Sequence, residues 1–107
     1  MAHKRILPRT KALEDTDEAI HYYLKNASPR IALGFIDALE KAYTHIGRHP
    51  SSGSLRYAYE LSMPGLRSWP LKRYPYLVFY IETTEHIEIW RLLHQERDIP
   101  AWMQSPE

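Results

Sequence analysis

Residues 20–36 read IHYYLKNASPRIALGFI, and the break at their centre decides the fold. Asn26-Ala-Ser-Pro29 separates two apolar stripes of helical period. Ser28 is a good N-cap, and Pro29 falls on the first helical position, where its missing N–H costs nothing. Upstream, Leu13, Thr16, Ile20, Tyr23, Leu24 and Ala27 recur at the 3–4 spacing of a helix with one buried face, from which Asp17 is turned away. Glu14, Asp15, Asp17 and Glu18 fill its first turns, where acids favour the positive end of the helix dipole. Downstream, Ala32, Phe35, Ile36, Leu39, Ala42, Tyr43 and Ile46 mark a second helix, with Gly47 as its stop and Pro50 just beyond. So short a connection makes the two helices antiparallel, as a hairpin.

Working outward, residues 4–8 read as a first strand closed by Pro8. Beyond the helices, 50–53 is a loop and Met63-Pro-Gly65 a tight turn. Three runs rich in β-branched and aromatic residues follow, at 66–71, 76–82 and 87–94. Segments 72–75 and 83–86 are short enough to be hairpin connections. Residues 98–103 read as a final helical turn, with Trp102 and Met103 packing back onto the body. The order β-α-α-β-β-β describes an α+β domain over residues 1–107, an antiparallel helix hairpin on one face of a small, mostly antiparallel sheet. There are no internal repeats and no domain boundary.

Composition bounds the function. The chain has 107 residues, 44% hydrophobic and 25% charged, which is globular composition with room for one core. It has no cysteine, which excludes disulfides and thiolate metal sites and fits a reducing cytoplasm. No stretch reaches the ~18 apolar residues of a membrane span, and no signal-peptide pattern opens the chain. The expectation is a soluble, cytoplasmic protein without a membrane partner. Net charge is +1, too low to read nucleic-acid binding from the balance alone. Its distribution is uneven, however. Residues 48–73 hold Arg48, Arg56, Arg67, Lys72 and Arg73 against Glu60 alone, a local excess of +4. Such clustering suits phosphates or an acidic protein partner, or is simply a solvated loop rim.

The chain resembles the RelE/ParE toxins, and most closely the ParE or plasmid-stabilisation branch, from Ile6 to Met103. The resemblance rests on the acid-rich first helix with Ile20-His-Tyr-Tyr-Leu24, the break Ala27-Ser-Pro29 followed by Ala32 and Phe35, and His49-Pro50-x-x-Gly53. It continues through Met63-Pro-Gly-Leu-Arg67, Tyr74-Pro-Tyr76 with Tyr80, and Ile89-x-Arg91-Leu-Leu-His94-x-x-Arg97-Asp98. It implies the toxin of a type II toxin–antitoxin module. The expected partner is a ParD-like antitoxin, a ribbon-helix-helix protein with a segment that folds over the toxin. DNA would then be met only indirectly, through the antitoxin complex. Two activities live on this fold. ParE-like members inhibit DNA gyrase by protein–protein interaction and are not catalysts; RelE-like members cut mRNA on the ribosome.

For the nuclease, the residues available are Arg67 and Arg91 as cations at the scissile phosphate, with Arg73 a further one, and His94 as proton carrier. The lysine pair expected of a nuclease between the second helix and the sheet is absent, and no tyrosine follows Tyr80. Those gaps favour the ParE reading, with no catalytic residue and no cofactor. Arg67, Trp69, Arg73, Arg91, Arg97 and Trp102 are then the candidates for target or antitoxin contact. Trp90 and Trp102 also read as core aromatics. Arg91, inside an apolar strand, needs a carboxylate neighbour such as Glu82 or Glu88, or a functional groove. His45 and His49, four apart, share a helix face, but with no third ligand they read as helix-end histidines and no metal is expected.

Overall fold

The computed structural model describes residues 3–103. The chain runs β1 (Arg5–Pro8), α1 (Thr10–Asn26), α2 (Pro29–Arg48), a 3-10 turn (Pro50–Ser52), α3 (Arg56–Glu60), β2 (Arg67–Pro70), β3 (Tyr76–Glu82), β4 (His86–His94) and α4 (Ile99–Met103). The strands form one sheet in the order β1-β4-β3-β2, with β1 parallel to β4 and the other pairs antiparallel. This is the α+β arrangement read from the sequence, including the final helical turn, with the 3-10 turn and α3 added.

The helix hairpin forms where the sequence places it. Ser28 is the cap of α2, its hydroxyl accepting the Ile31 amide at 3.2 Å, and Pro29 opens the helix. The inner stripe of α2 is Ala32, Phe35, Leu39, Ala42 and Ile46, with Ile36 and Tyr43 at its margin. Gly47 does not stop the helix, which runs one residue further to Arg48. Its role is close approach: the Gly47 carbonyl accepts the Lys4 amide at 3.1 Å, and a Cβ there would run into the His3 ring.

The inner face of α1 differs from the expected one. Ala12, Asp15 and Ala19 are buried, while Leu13 and Leu24 are exposed and Ile20 and Tyr23 lie at the margin. Small residues bring α1 close to β4, and a buried ion pair described below sets the rotation. The helix also begins earlier, at Thr10, so its acids lie beyond the first turn and the dipole argument does not apply to them.

The sheet separates two apolar clusters. On the hairpin side, Phe35, Leu39 and Ile46 meet Val78, Tyr80, Ile87, Ile89 and Leu92. On the other side, Leu66, Phe79 and Leu93 are covered by Ile99 and Met103 of α4 and flanked by Tyr57 and Ala58 of α3. A register slip lets β4 serve both: Tyr80 opposes Ile89 but Phe79 opposes Arg91, leaving Trp90 as the extra residue of a bulge.

Candidate functional site

β4 is longer than its parallel neighbour β1, whose pairing ends at Pro8 opposite Ile89. The Arg9 amide still bonds the Ile89 carbonyl at 2.9 Å, and the chain then turns into α1. One and a half turns later Asp15 reaches back to the bare strand edge. Its carboxylate accepts the Leu92 amide at 3.0 Å and the Arg91 guanidinium at 2.7 and 2.9 Å. Asp15 and Arg91 are 8% and 5% exposed, and the bidentate geometry answers the cost of burying each charge. The carboxylate beside Arg91 is therefore neither Glu82 nor Glu88. Glu82 pairs with Lys4 at 2.8 Å. Glu88 accepts from His86 and Trp90, and the His86 contact chiefly holds its carboxyl below the usual range. Arg91 also donates to the Trp102 carbonyl at 2.6 Å, so the same guanidinium ties α4 to the sheet.

Arg67 is engaged with its own fold. Its Nη1 donates to the carbonyls of Ser51 and Gly53, at 3.0 and 2.8 Å. Beside it the Tyr80 hydroxyl donates to the Pro50 carbonyl at 2.7 Å and accepts the Gly53 amide at 3.0 Å. Burial raises this phenol's pKa above its ordinary value, so it remains a neutral donor. A Cβ at residue 53 would clash with that hydroxyl, which explains the glycine of His49-Pro50-x-x-Gly53.

Trp69 is partly buried, its ring stacked on His45 with centroids 4.0 Å apart. His45 and His49 do share one face, 5.2 Å apart. The Ser52 hydroxyl donates to the His49 carbonyl at 2.7 Å, so the 2.9 Å contact with His45 Nε2 has the histidine as donor. Among the described residues no group of three or more His, Cys, Asp or Glu is placed to hold a metal.

Arg73 is exposed in the β2–β3 connection, in a left-handed conformation with φ 72°. Arg97 is exposed too, its guanidinium 4.1 Å above the Trp102 ring, which is itself 37% exposed. His94, at the end of β4, accepts the Glu96 amide on Nδ1 at 3.1 Å, leaving Nε2 to carry the proton of the neutral ring.

The cationic and proton-carrying candidates do not converge. Arg67 opposes Tyr80 and His94 opposes Tyr76, four residues apart along β3, or about 13 Å. The bases of segment 48–73 are dispersed as well: Arg48 ends α2, Arg56 pairs with Glu60 at 3.2 Å on α3, and Lys72 and Arg73 lie beyond β2.

What the fold does assemble is a groove of about 720 Å³ between α1 and the ends of β3 and β4. Ala19, Leu92 and Pro75 line it with aliphatic surface, and Tyr22, Tyr23, Tyr76 and His94 line it with rings. The Tyr23 hydroxyl is pushed up to about 12, chiefly by burial, so it is neutral at physiological pH. Sequence reasoning placed Tyr23 on the buried stripe of the first helix and Tyr22 and Tyr76 only within the motifs of the family resemblance, without bringing them together. It read Asp15 only as one of the acids opening the first helix and missed its pairing with Arg91. The available signal was the 3–4 spacing of Ala12, Asp15 and Ala19, a stripe of small residues interrupted by one acid.

A family model described as ParE toxin of type II toxin–antitoxin system, parDE, matches residues 6–99. Among solved structures, a chain of the chromosomal ParDE TA system from P. aeruginosa is 20% identical and superposes with a TM-score of 0.74, covering 88% of this chain and 98% of that one. No curated protein matches.

Proposed function

The chain belongs to the ParE toxin family of type II toxin–antitoxin systems, and from that premise we propose that it inhibits DNA gyrase by protein–protein contact and is neutralised by a ParD-like, ribbon-helix-helix antitoxin in the cytoplasm. The observation that carries this over the nuclease reading is the engagement of the cations. Arg91 is clamped on Asp15, Arg67 is held by loop carbonyls, and His94 lies at the far end of the sheet. A phosphoryl-transfer site needs such groups preorganised around one phosphate.

The target surface in this reading takes in Trp102 with Arg97, and Arg73 in the β2–β3 connection, since these side chains are exposed. Arg91 contributes by holding α4 in place, and Trp69 through its open edge. The antitoxin segment lies across the outer side of the helix hairpin, where Leu33 is 66% exposed and Leu13 and Leu24 remain uncovered. The β2 edge of the sheet is already bridged by Ser54 at Ser68, which leaves β1 as the outer strand for any further pairing. DNA is contacted through the antitoxin complex alone.

The test sets purified protein against two reactions, gyrase supercoiling and ribosome-dependent mRNA cleavage. Inhibited supercoiling with intact mRNA is the expected result. Cut mRNA, with cutting lost in Arg67→Ala, Arg91→Ala or His94→Ala, would move the protein to the RelE-like reading. Co-expression with the neighbouring antitoxin should give a tight complex of raised melting temperature.

A further inference from the structure

The groove between α1 and the β3–β4 ends has a chemistry of its own. Its rings run in sequence: Tyr22 to Tyr23 at 5.4 Å, Tyr23 to Tyr76 at 6.4 Å, and Tyr76 to His94 at 5.2 Å between centroids. The floor is aliphatic. Two carboxylates stand on the rim, Glu18 one helical turn before Tyr22 and Glu96 just beyond His94; both are exposed, and neither joins an ion pair among the described residues. Of the other charges in the lining, Asp15 is paired with Arg91, while the Arg97 guanidinium lies over Trp102 and also acts on Tyr76, so the rim carries two carboxylates against one cation. α1 extends the same sign outward through Glu14 and Asp17.

We propose that this groove receives an arginine or lysine side chain from a partner segment, its cation resting against the tyrosine faces between Glu18 and Glu96 and its flanking aliphatic residues lying on the Ala19–Leu92 floor. A cation over aromatic faces gains from the ring quadrupole, and more so when partly desolvated. A long aliphatic stem suits the apolar floor while the charged head reaches the rim. An acidic partner is disfavoured at the same place by the two carboxylates, which gives the groove selectivity as well as affinity. The proposal deepens the antitoxin reading, in which the segment covering the toxin supplies this basic residue. Arg97 stands at the border between this groove and the surface assigned to the target.

The probe is an acetylated, amidated peptide, Ala-Leu-Arg-Ala-Leu-Leu-Arg-Ala, with glutamine and glutamate counterparts in place of both arginines. Each is titrated into the full chain while the ring signals of Tyr22, Tyr76 and His94 are followed by NMR. The expected result is shifts confined to the groove, with the arginine peptide bound about tenfold tighter than the glutamine one. The Glu18→Gln/Glu96→Gln variant, altered only at exposed positions, should lose that preference. Equal binding of the arginine and glutamine peptides overturns the proposal, as do shifts centred elsewhere, such as on the α3 surface around Tyr59. So does a preference unchanged in the double variant. The probe contains no antitoxin sequence, so its failure is distinct from a failure of the co-expressed complex to form.

Discussion

At the residue scale the molecule turns on Asp15 and Arg91, which lie 76 positions apart in sequence. Neither would be buried without the other. A buried bidentate pair adds little net stability over an apolar pair of the same shape, but removing one member leaves an uncompensated charge and costs about 3–5 kcal/mol. Asp15→Ala should therefore lower the urea midpoint steeply, and it also deprives the Leu92 amide of its acceptor. Asp15→Leu combined with Arg91→Met should recover most of that loss, as read in the same denaturation curves. A single Asp15→Ala that unfolds like the wild type would show that the pair is open in solution. Tyr80 offers a second, smaller test. Tyr80→Phe keeps the ring and removes the hydroxyl that serves both Pro50 and Gly53, at a cost of about 1–3 kcal/mol for the stranded amide. Hydrogen exchange should speed up first at Gly53 rather than across the sheet.

At the scale of elements, what could be read from the sequence was what local chemistry determines. The Ser28–Pro29 helix start is a cap and a ring constraint, both contained in two residues, and the structure reproduces it. β3 at 76–82 is fixed by its aromatic and β-branched run in the same way. The face of α1 was not legible, because leucines at 13 and 24 look like core and an aspartate at 15 does not. The deciding contact lies on β4 and leaves no trace in local periodicity. α3 escaped for a different reason: five residues, Arg-Tyr-Ala-Tyr-Glu, are too few to display a helical period. With it went the second apolar cluster, on the side of the sheet away from the hairpin. The exposed leucines make the element-scale prediction. Leu13→Gln with Leu24→Gln should leave the unfolding free energy within about 0.5 kcal/mol, as surface changes do. It should weaken the complex with the co-expressed antitoxin, measured by calorimetry. A loss of stability with unchanged binding would place those residues in the core after all.

At the scale of the whole molecule, a 107-residue chain divides its apolar interior between two faces of a four-stranded sheet, so each cluster is thin and its cover matters. α4 is the cover of the second cluster, and it serves in two ways. Met103 and Ile99 are buried beneath it, whereas the Trp102 ring stays partly open beside Arg97 and its carbonyl accepts from Arg91. Deleting residues 101–107 would mix these roles, and 104–107 lie outside the described residues, so the roles are better separated by point substitutions. Met103→Ala removes a buried side chain and should cost about 2–5 kcal/mol. Its remaining folded fraction should still arrest growth when expressed without antitoxin. Trp102→Ala leaves the carbonyl clasp intact and forfeits the cation–π contacts, about 1 kcal/mol. If Trp102 is the anchor for gyrase, that variant should melt within a few degrees of the wild type, still bind its antitoxin, and no longer inhibit supercoiling or growth. Central aromatic anchors carry much of the binding energy at protein interfaces, and truncation of one typically costs 2 kcal/mol or more. A Trp102→Ala protein that folds and remains fully inhibitory would remove α4 from the target surface. The contacts would then have to be sought around Arg73 and the open edge of Trp69.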